Sequence, residues 1–331
     1  MLKIEHKADV RNTFRISAKA DTLITYGRED VDELVAYLQG EGRGQRILHV
    51  GAGSNLLFMN DYDGIVLQSA VRDISTYGEK VRVGAAWLMD DFIAWTLQNG
   101  LYGLENLSLI PGTVGAAAVQ NIGAYGVEAS EFISEVETLE LSTGTIRIWH
   151  PEELEYGYRT SLFKQDGVWG RYAVLSVTFA LSRTFVPRLE YGGLGKRVNL
   201  DCPTAEQVRN AVISVRREKL PDPDVLGNAG SFFVNPVVTM DMAEALMKSR
   251  PDMPHYETAG GVKIPAGWMI EQCGWKGRAL GAAAVHDRQA LVLVNKGGAT
   301  GSDIARLSEA VCASVKEKFG VEIHPEVNFI Y

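Results

Sequence analysis

Residues 104–126, LENLSLIPGTVGAAAVQNIGAYG, limit what this chain can fold into more than any other stretch, because they carry so little side-chain bulk. Ile110-Pro111-Gly112-Thr113 reads as a turn, and Gly115, Ala116, Ala117 and Ala118 leave the backbone behind it bare. Backbone without large side chains admits another body at close range. That body is either a second helix in a tight crossing or a large flat ligand, to which Gln120, Asn121 and Tyr125 add amide and phenol donors.

A second bare segment lies upstream. The apolar run Ile47 to Val50 reads as a strand entering Gly51-Ala52-Gly53-Ser54-Asn55. Successive N–H groups after such a strand form a nest for anions, usually phosphates. The third glycine of a Rossmann fingerprint is missing, since Leu56 stands there, and no Gly-Lys-Ser/Thr follows to make a P-loop. Taken alone, a plain β-turn competes with the nest. One phosphate-like segment and one that accommodates a flat body together favour a dinucleotide such as FAD or NAD.

The 331 residues predict two domains or three small ones. Hydrophobic content of 46% and charged content of 22% are those of a globular protein. A net charge of −8 argues against general attraction to nucleic acid, although a local basic patch can still hold a phosphorylated ligand. Cys202, Cys273 and Cys312 are far apart and form no CxxC, so neither a disulfide framework nor a zinc site is expected, and a reducing, cytoplasmic location fits. The six histidines show no ligand spacing, and no metal is assigned. No signal-peptide core or membrane span is expected either.

Periodicity predicts helices over residues 30–39, 87–99, 201–219, 241–248 and 302–319. It predicts strands over 64–67, 80–84, 173–181, 289–295 and the C-terminal HPEVNFIY, and a hairpin over 135–149 about Ser142-Thr143-Gly144. The chain changes character near residue 200, and Leu220-Pro221-Asp222-Pro223-Asp224 should stop the helix over 201–219 with a hinge-like break. Few clean βαβ units occur, which argues for α+β architecture.

Three further places have chemical potential. GNAGSFFVNP, residues 227–236, holds Ser231 between permissive Gly227 and Gly230 on one side and anchoring Phe232 and Phe233 on the other. It suits a proton donor or polar anchor, or else a turn that Ser231 merely caps. It is not a hydrolase elbow, because Phe233 replaces the second glycine. YGYRTSLFK, residues 156–164, gathers Tyr158, Arg159, Ser161 and Lys164. Arg159 keeps its proton and suits an anion or enolate, unless it is a surface charge on a strand edge. Glu326, in EIHPEVNF, is either a partly buried acid or an edge-strand charge.

In this order, HVGAGSNLLF, IPGTVGAAAVQNIGAYG, YRTSLFK, LPDPDVLGNAGSFFVNPVV, PAGWMIEQCGWKG and HPEVNF resemble the UDP-N-acetylenolpyruvoylglucosamine reductase (MurB) family over nearly the whole chain. The resemblance implies an α+β fold: a two-subdomain FAD-binding module of the vanillyl-alcohol-oxidase (PCMH) type plus a C-terminal α+β substrate-binding domain. Residues 1–67 would form the first FAD-binding subdomain, completed by the C-terminal strand 320–331; residues 68–218 the second; residues 219–319 the substrate-binding domain.

The resemblance also implies site residues. Arg159, Ser231 and Glu326 match the catalytic positions. FAD contacts fall on Val50, Gly51, Ala52, Gly53, Ser54 and Asn55, on Ile110, Pro111, Gly112, Thr113, Gly115 and Ala116, and on Gln120, Asn121, Gly123, Ala124 and Tyr125. Substrate contacts fall on Tyr158, Lys219, Asn235 and Gln289, and on Tyr191, the substrate-covering tyrosine of the longer-loop subtype. NADPH is the implied hydride donor and UDP-N-acetylglucosamine enolpyruvate the acceptor, Ser231 giving the proton while Arg159 and a protonated Glu326 stabilise the enol. A monomer is compatible with the chain.

Val234 departs from the common Lys of SFFKNP, so a contact from that side chain to phosphate or NADPH is in doubt; HVGAGSN is a looser match to LGGGSN but keeps Gly51 and Gly53. The rivals are a sugar or alcohol oxidase on the same flavin module and a non-catalytic nucleotide-sugar or flavin binder. NAGSFF together with Glu326 argues against the first, and joint retention of Arg159, Ser231 and Glu326 against the second.

Overall fold

In the computed structural model, all residues are described except Met1, Gly192, Asn199, Leu200 and Ala259. Gly192, part of the stretch expected to carry Tyr191, therefore lies outside the described residues. The chain forms two units. The first comprises Met1–Asp9, Lys19–Ala52 and Tyr62–Arg216, and the second Val10–Ala18, Gly53–Asp61 and Arg217–Tyr331.

Two large sheets and a short hairpin, Gly123–Ala124 with Val127–Glu128, build the first unit. One has the strand order Lys3–Asp9, Lys19–Tyr26, Tyr62–Ser69, Ile47–His49; its first pair is antiparallel and the other two are parallel. Helix Val31–Gln39 lays Val31, Leu34 and Leu38 into a core with Ile24, Ile65 and Leu67, and Gly40 follows it as the sequence predicts. The other sheet is antiparallel, in the order Ile146–Trp149, Ile133–Glu140, Tyr172–Ala180, Lys80–Gly84, Ile74–Tyr77. Helix Met89–Gln98 and the short helix Val114–Gln120 pack on it through Phe92, Ile93, Val114 and Ala118. Gly115 is required there, because a Cβ on it would stand 2.8 Å from that of Ala85. The bare stretch thus lies close against the turn that follows strand Lys80–Gly84, not against a second helix.

Glu137 ties the two sheets. Its Oε2 accepts from Arg28 Nη2 at 2.8 Å, Arg82 Nη2 at 2.7 Å and Ser176 Oγ at 2.7 Å. Arg28 follows the second strand of the first sheet, while Glu137, Arg82 and Ser176 lie on three neighbouring strands of the second.

The second unit collects two N-terminal loops around the C-terminal third. Asn228 N–H donates to Thr13 O at 2.9 Å, and Asn295 Nδ2 to Phe14 O at 2.9 Å. Gly227 allows this approach, since a Cβ there would stand 2.4 Å from Phe14 O. Its main sheet runs Gly227–Asn228, Leu293–Asn295, Ala283–Val285, Ala279–Leu280, all antiparallel. The C-terminal strand Asn328–Ile330 pairs in parallel with Leu56–Phe58. Helix Gly301–Phe319 opens on a Thr300–Asp303 capping box and buries Ile304, Leu307, Val311 and Val315.

The expected strand over 289–295 is shorter than the apolar run suggests: only Leu293–Asn295 is extended. Val292 N–H closes on Gln289 O at 3.0 Å and turns the first half aside. Helix Ala205–Lys219 stops before Leu220 as expected, and the boundary between units falls in its last turn, at Arg216 and Arg217.

Burial pushes the Glu137 carboxyl up, but Arg28, Ser176 and Arg82 outweigh it and hold it down at about 2, against 4.5 ordinarily. Its stabilising contribution is therefore complete above pH 4.5 and disappears as pH falls through about 2. Thermal melting followed down that window should show the first unit losing stability, and Glu137→Gln should remove part of the slope; an unchanged slope would show that the cluster is not what holds the sheets at acid pH.

Candidate active site

In the second unit, local hydrogen bonding sets Ser231 where it is. Asn228 Oδ1 accepts from Gly230 N–H at 2.8 Å, and its Nδ2 donates to Leu226 O at 2.8 Å and Pro221 O at 3.1 Å. Gly230 adopts φ 68°, open to glycine at little cost. Phe232 and Phe233 are 0% and 1% exposed and meet edge to face at 5.1 Å, which anchors the chain immediately after Ser231. Ser231 itself is exposed, and among the described residues its hydroxyl takes no hydrogen-bond partner. The capping role is not observed; the side chain that organises the turn is Asn228.

The Phe232 backbone is held at both its N–H and its carbonyl. Its N–H donates to Leu291 O at 2.7 Å, and its O accepts from Glu326 N–H at 2.7 Å. Val234 N–H donates to His324 O at 3.0 Å. The structure thus brings Ser231 and Glu326, 95 positions apart by numbering (326 − 231), onto adjoining segments. Asn55 holds the Glu326 segment from another direction: its Nδ2 donates to Glu326 O at 3.4 Å, and its O accepts from Asn328 N and Nδ2, each at 3.1 Å.

The other expected residues of this unit vary in role. Asn235 Oδ1 accepts from Ala266 N–H at 2.9 Å and so secures the start of helix Ala266–Gln272. Gln289 is half-buried, with Oε1 accepting from Leu291 N–H at 3.4 Å. Lys219 is exposed at the end of its helix, and Val234 is half-buried.

Arg159 belongs to the first unit. Gly157 and Thr160 exchange backbone hydrogen bonds at 3.1 and 3.2 Å, and Arg159 between them adopts φ 58°. The left-handed region costs a residue with a Cβ roughly 1–2 kcal/mol. Hydrogen bonds from its guanidinium to Asn121 O at 3.4 Å and to Gly123 O offset this. Lys164 Nζ braces the loop by donating to Arg159 O at 3.0 Å and Gln120 Oε1 at 2.8 Å. Ser161 is buried, its Oγ donating to Val119 O at 2.7 Å. Lys164 and Ser161 therefore position the Arg159 segment, rather than extending the donor set expected of YGYRTSLFK. Tyr158 is exposed, with the Arg159 guanidinium carbon 4.9 Å from its ring centre.

The Asn121 side chain is engaged within its own loop. It is 0% exposed, and its Nδ2 serves Glu128 Oε2 and Gly157 O, each at 2.9 Å, while Oδ1 accepts from Ser130 N–H at 3.0 Å. Its side chain fixes the loop from inside. Tyr125 and Gly126, at φ 50° and 80°, form a tight turn between Gly123–Ala124 and Val127–Glu128. Burial raises the Tyr125 phenol above its ordinary range, against the nearby charge of Arg216. Tyr191, 50% exposed, has its Cβ 3.2 Å from where a Cβ on Gly126 would lie.

The two glycine-rich segments meet within this unit. A Cβ on Gly51 would stand 2.6 Å from Thr113 Oγ1 and 3.4 Å from Ala116 Cβ. Among the described residues, the N–H groups of Gly51, Ala52, Gly112 and Thr113 have no acceptor. Four unengaged backbone donors on two juxtaposed segments fit a pyrophosphate, and so fit FAD. Ala116 N–H by contrast is taken by Thr113 Oγ1 at 3.3 Å, and Gly115 N–H by Ala85 O at 3.0 Å.

Comparison with known proteins agrees with this geometry. Residues 27–148 match the family described as FAD binding domain, and residues 222–330 the one described as UDP-N-acetylenolpyruvoylglucosamine reductase, C-terminal domain. A UDP-N-acetylenolpyruvoylglucosamine reductase of Bacteroides fragilis is 50% identical, covering 96% of this chain and 97% of its own. One from Porphyromonas gingivalis is 44% identical, covering 99% of each. The crystal structure of the MurB reductase from Thermus caldophilus, at 23% identity, covers 100% of both chains with a TM-score of 0.69 and shows the same fold. The fold and the donor arrangement thus define an FAD-dependent oxidoreductase with a PCMH-type flavin domain. The chain belongs to the UDP-N-acetylenolpyruvoylglucosamine reductase (MurB) family.

Gly51→Ala should displace the Thr113 hydroxyl and lower FAD affinity by about tenfold, roughly the effect of losing one or two hydrogen bonds. Flavin released on ultrafiltration measures it; retention equal to the parent protein would place the dinucleotide elsewhere.

Proposed function

We propose that the chain reduces UDP-N-acetylglucosamine enolpyruvate to UDP-N-acetylmuramate, with NADPH as hydride source, in peptidoglycan precursor synthesis. The observation that carries this reading is Ser231: an exposed hydroxyl without an internal partner, one residue from the peptide that binds the Glu326 backbone. Family membership supplies the substrate class, since the relatives named above are reductases of that compound.

FAD held by residues 50–55 and by the named positions of 110–125 would supply two-electron transfer between NADPH and the enolpyruvyl double bond. Arg159, always charged, stabilises the negative charge that builds on the carboxylate-bearing carbon of that bond and on the carboxylate. Glu326 in protonated form donates a hydrogen bond to the same enol. Ser231 then gives its proton to that carbon, so that hydride and proton together saturate the double bond and leave a lactyl ether. A serine hydroxyl is a weak acid, so this step requires the strongly basic carbon and a cation nearby. Solvent reprotonates the exposed Ser231.

Tyr158, Tyr191, Lys219, Asn235 and Gln289 are proposed to hold the UDP-sugar, and residues 50–55 with the named positions of 110–125 to hold FAD. The two separate large sheets of the first unit support its division into two flavin subdomains near residue 67. Among the described residues no helix is long and apolar enough to cross a membrane. We place the activity in the cytoplasm, where its nucleotide substrates are made.

In stopped-flow measurements of flavin absorbance, Ser231→Ala should be reduced by NADPH at nearly the parent rate. Its reoxidation by the enolpyruvyl substrate should slow by about 10²–10⁴-fold. If both half-reactions keep their rates, Ser231 is not the proton donor.

A further inference from the structure

Arg216 closes the apolar stripe Val208, Val212, Val215 of helix Ala205–Lys219 and is half-buried. Its Nε donates to Leu109 O at 3.2 Å. The preceding peptide is pinned too, since Asp90 Oδ1 accepts the Leu109 N–H at 2.6 Å, and Leu109 adopts φ 59°. Asp90 is the nearest candidate counter-ion, but it is engaged by Arg209 at 2.6 Å. Among the described residues no carboxylate lies within ion-pair distance of Arg216, and its two Nη groups have no acceptor.

A second guanidinium faces the same segment. Arg159 is bonded to Asn121 O and Gly123 O, and two residues on, Tyr125 packs against Val212 and Val215, the residues next to Arg216 on the helix. Arg159 and Arg216 thus both adjoin residues 121–125 and are near enough for each to feel the other's charge. Burial disfavours the Arg216 cation, and Arg159 adds to that, while Tyr125 and Asp90 act in the opposite sense. Two like charges kept together, one of them half-buried with unengaged donors, are stabilised by an anion that offers an oxygen to each.

We propose that Arg216 is a substrate-binding residue that pairs with Arg159 on the carboxylate of the enolpyruvyl group. This rests on the function proposed above. Arg216 then discriminates the enolpyruvyl substrate from the UDP-sugar that lacks the carboxylate, and holds the carboxylate as charge enters it.

The test is equilibrium binding to the oxidised FAD-loaded protein, using UDP-N-acetylglucosamine enolpyruvate and plain UDP-N-acetylglucosamine as paired probes. Arg216→Met should weaken the first by about 10- to 100-fold, the loss of a charge-assisted contact, and the second by less than about twofold. Arg216→Lys, which keeps the charge and stem, should show the same selective loss to a smaller degree, and it serves if the methionine variant does not fold. Equal weakening of both probes, no weakening of either, or loss of FAD from the lysine variant would overturn the assignment. A parent protein that binds no enolpyruvyl substrate would overturn the functional reading and this inference together, whereas normal parent binding with an indifferent Arg216 overturns the inference alone.

Discussion

Phe232 is the joint on which the second unit's chemistry depends. Its N–H is held by Leu291 and its O by Glu326 N–H, each at 2.7 Å, while its ring is wholly buried. Hydrogen bonds on the two peptides that flank Phe232 leave Ser231, the residue before it, little freedom except at its side chain. The same contact fixes Glu326, which comes from nearly the end of the chain. Buried phenylalanine rings supply the anchorage, at about 1.5–3 kcal/mol each, and Asn228 with Gly230 supply the turn.

The first unit solves a different problem. It must present bare backbone without collapsing onto it. Gly51 lies against Thr113 and Gly115 against Ala85, so the glycines serve packing as much as ligand access. Around Arg159, the interior is arranged to hold one cation in a strained conformation: Asn121, Lys164 and Ser161 all point their donors at loop carbonyls or side chains. Positioning of this kind removes reorganisation from the reaction step.

Long, periodic elements were legible in the sequence. Helices Val31–Gln39, Met89–Gln98 and Gly301–Phe319 and the hairpin strands Ile133–Glu140 and Ile146–Trp149 fall where the pattern predicts them. Strands such as Gly227–Asn228 and Val237–Val238 were not, because two residues have no period to read. The run 289–295 misled because apolar content does not reveal the turn that Gln289 makes. Asn121 and Lys164 were recognisable as donors, but composition does not say which partner a donor meets. Arg216 had a visible signal that residue-by-residue reading passed over: an arginine four residues after Val212, on the buried face of its helix.

The measurement that bears most directly on this account is an anaerobic titration of the flavin absorbance, first with NADPH and then with UDP-N-acetylglucosamine enolpyruvate. The account predicts bleaching by the first and return of the yellow colour with the second. Bleaching without return would leave a flavoprotein with a different acceptor, and a folded protein with no flavin to bleach would contradict the reading of its glycine-rich segments altogether.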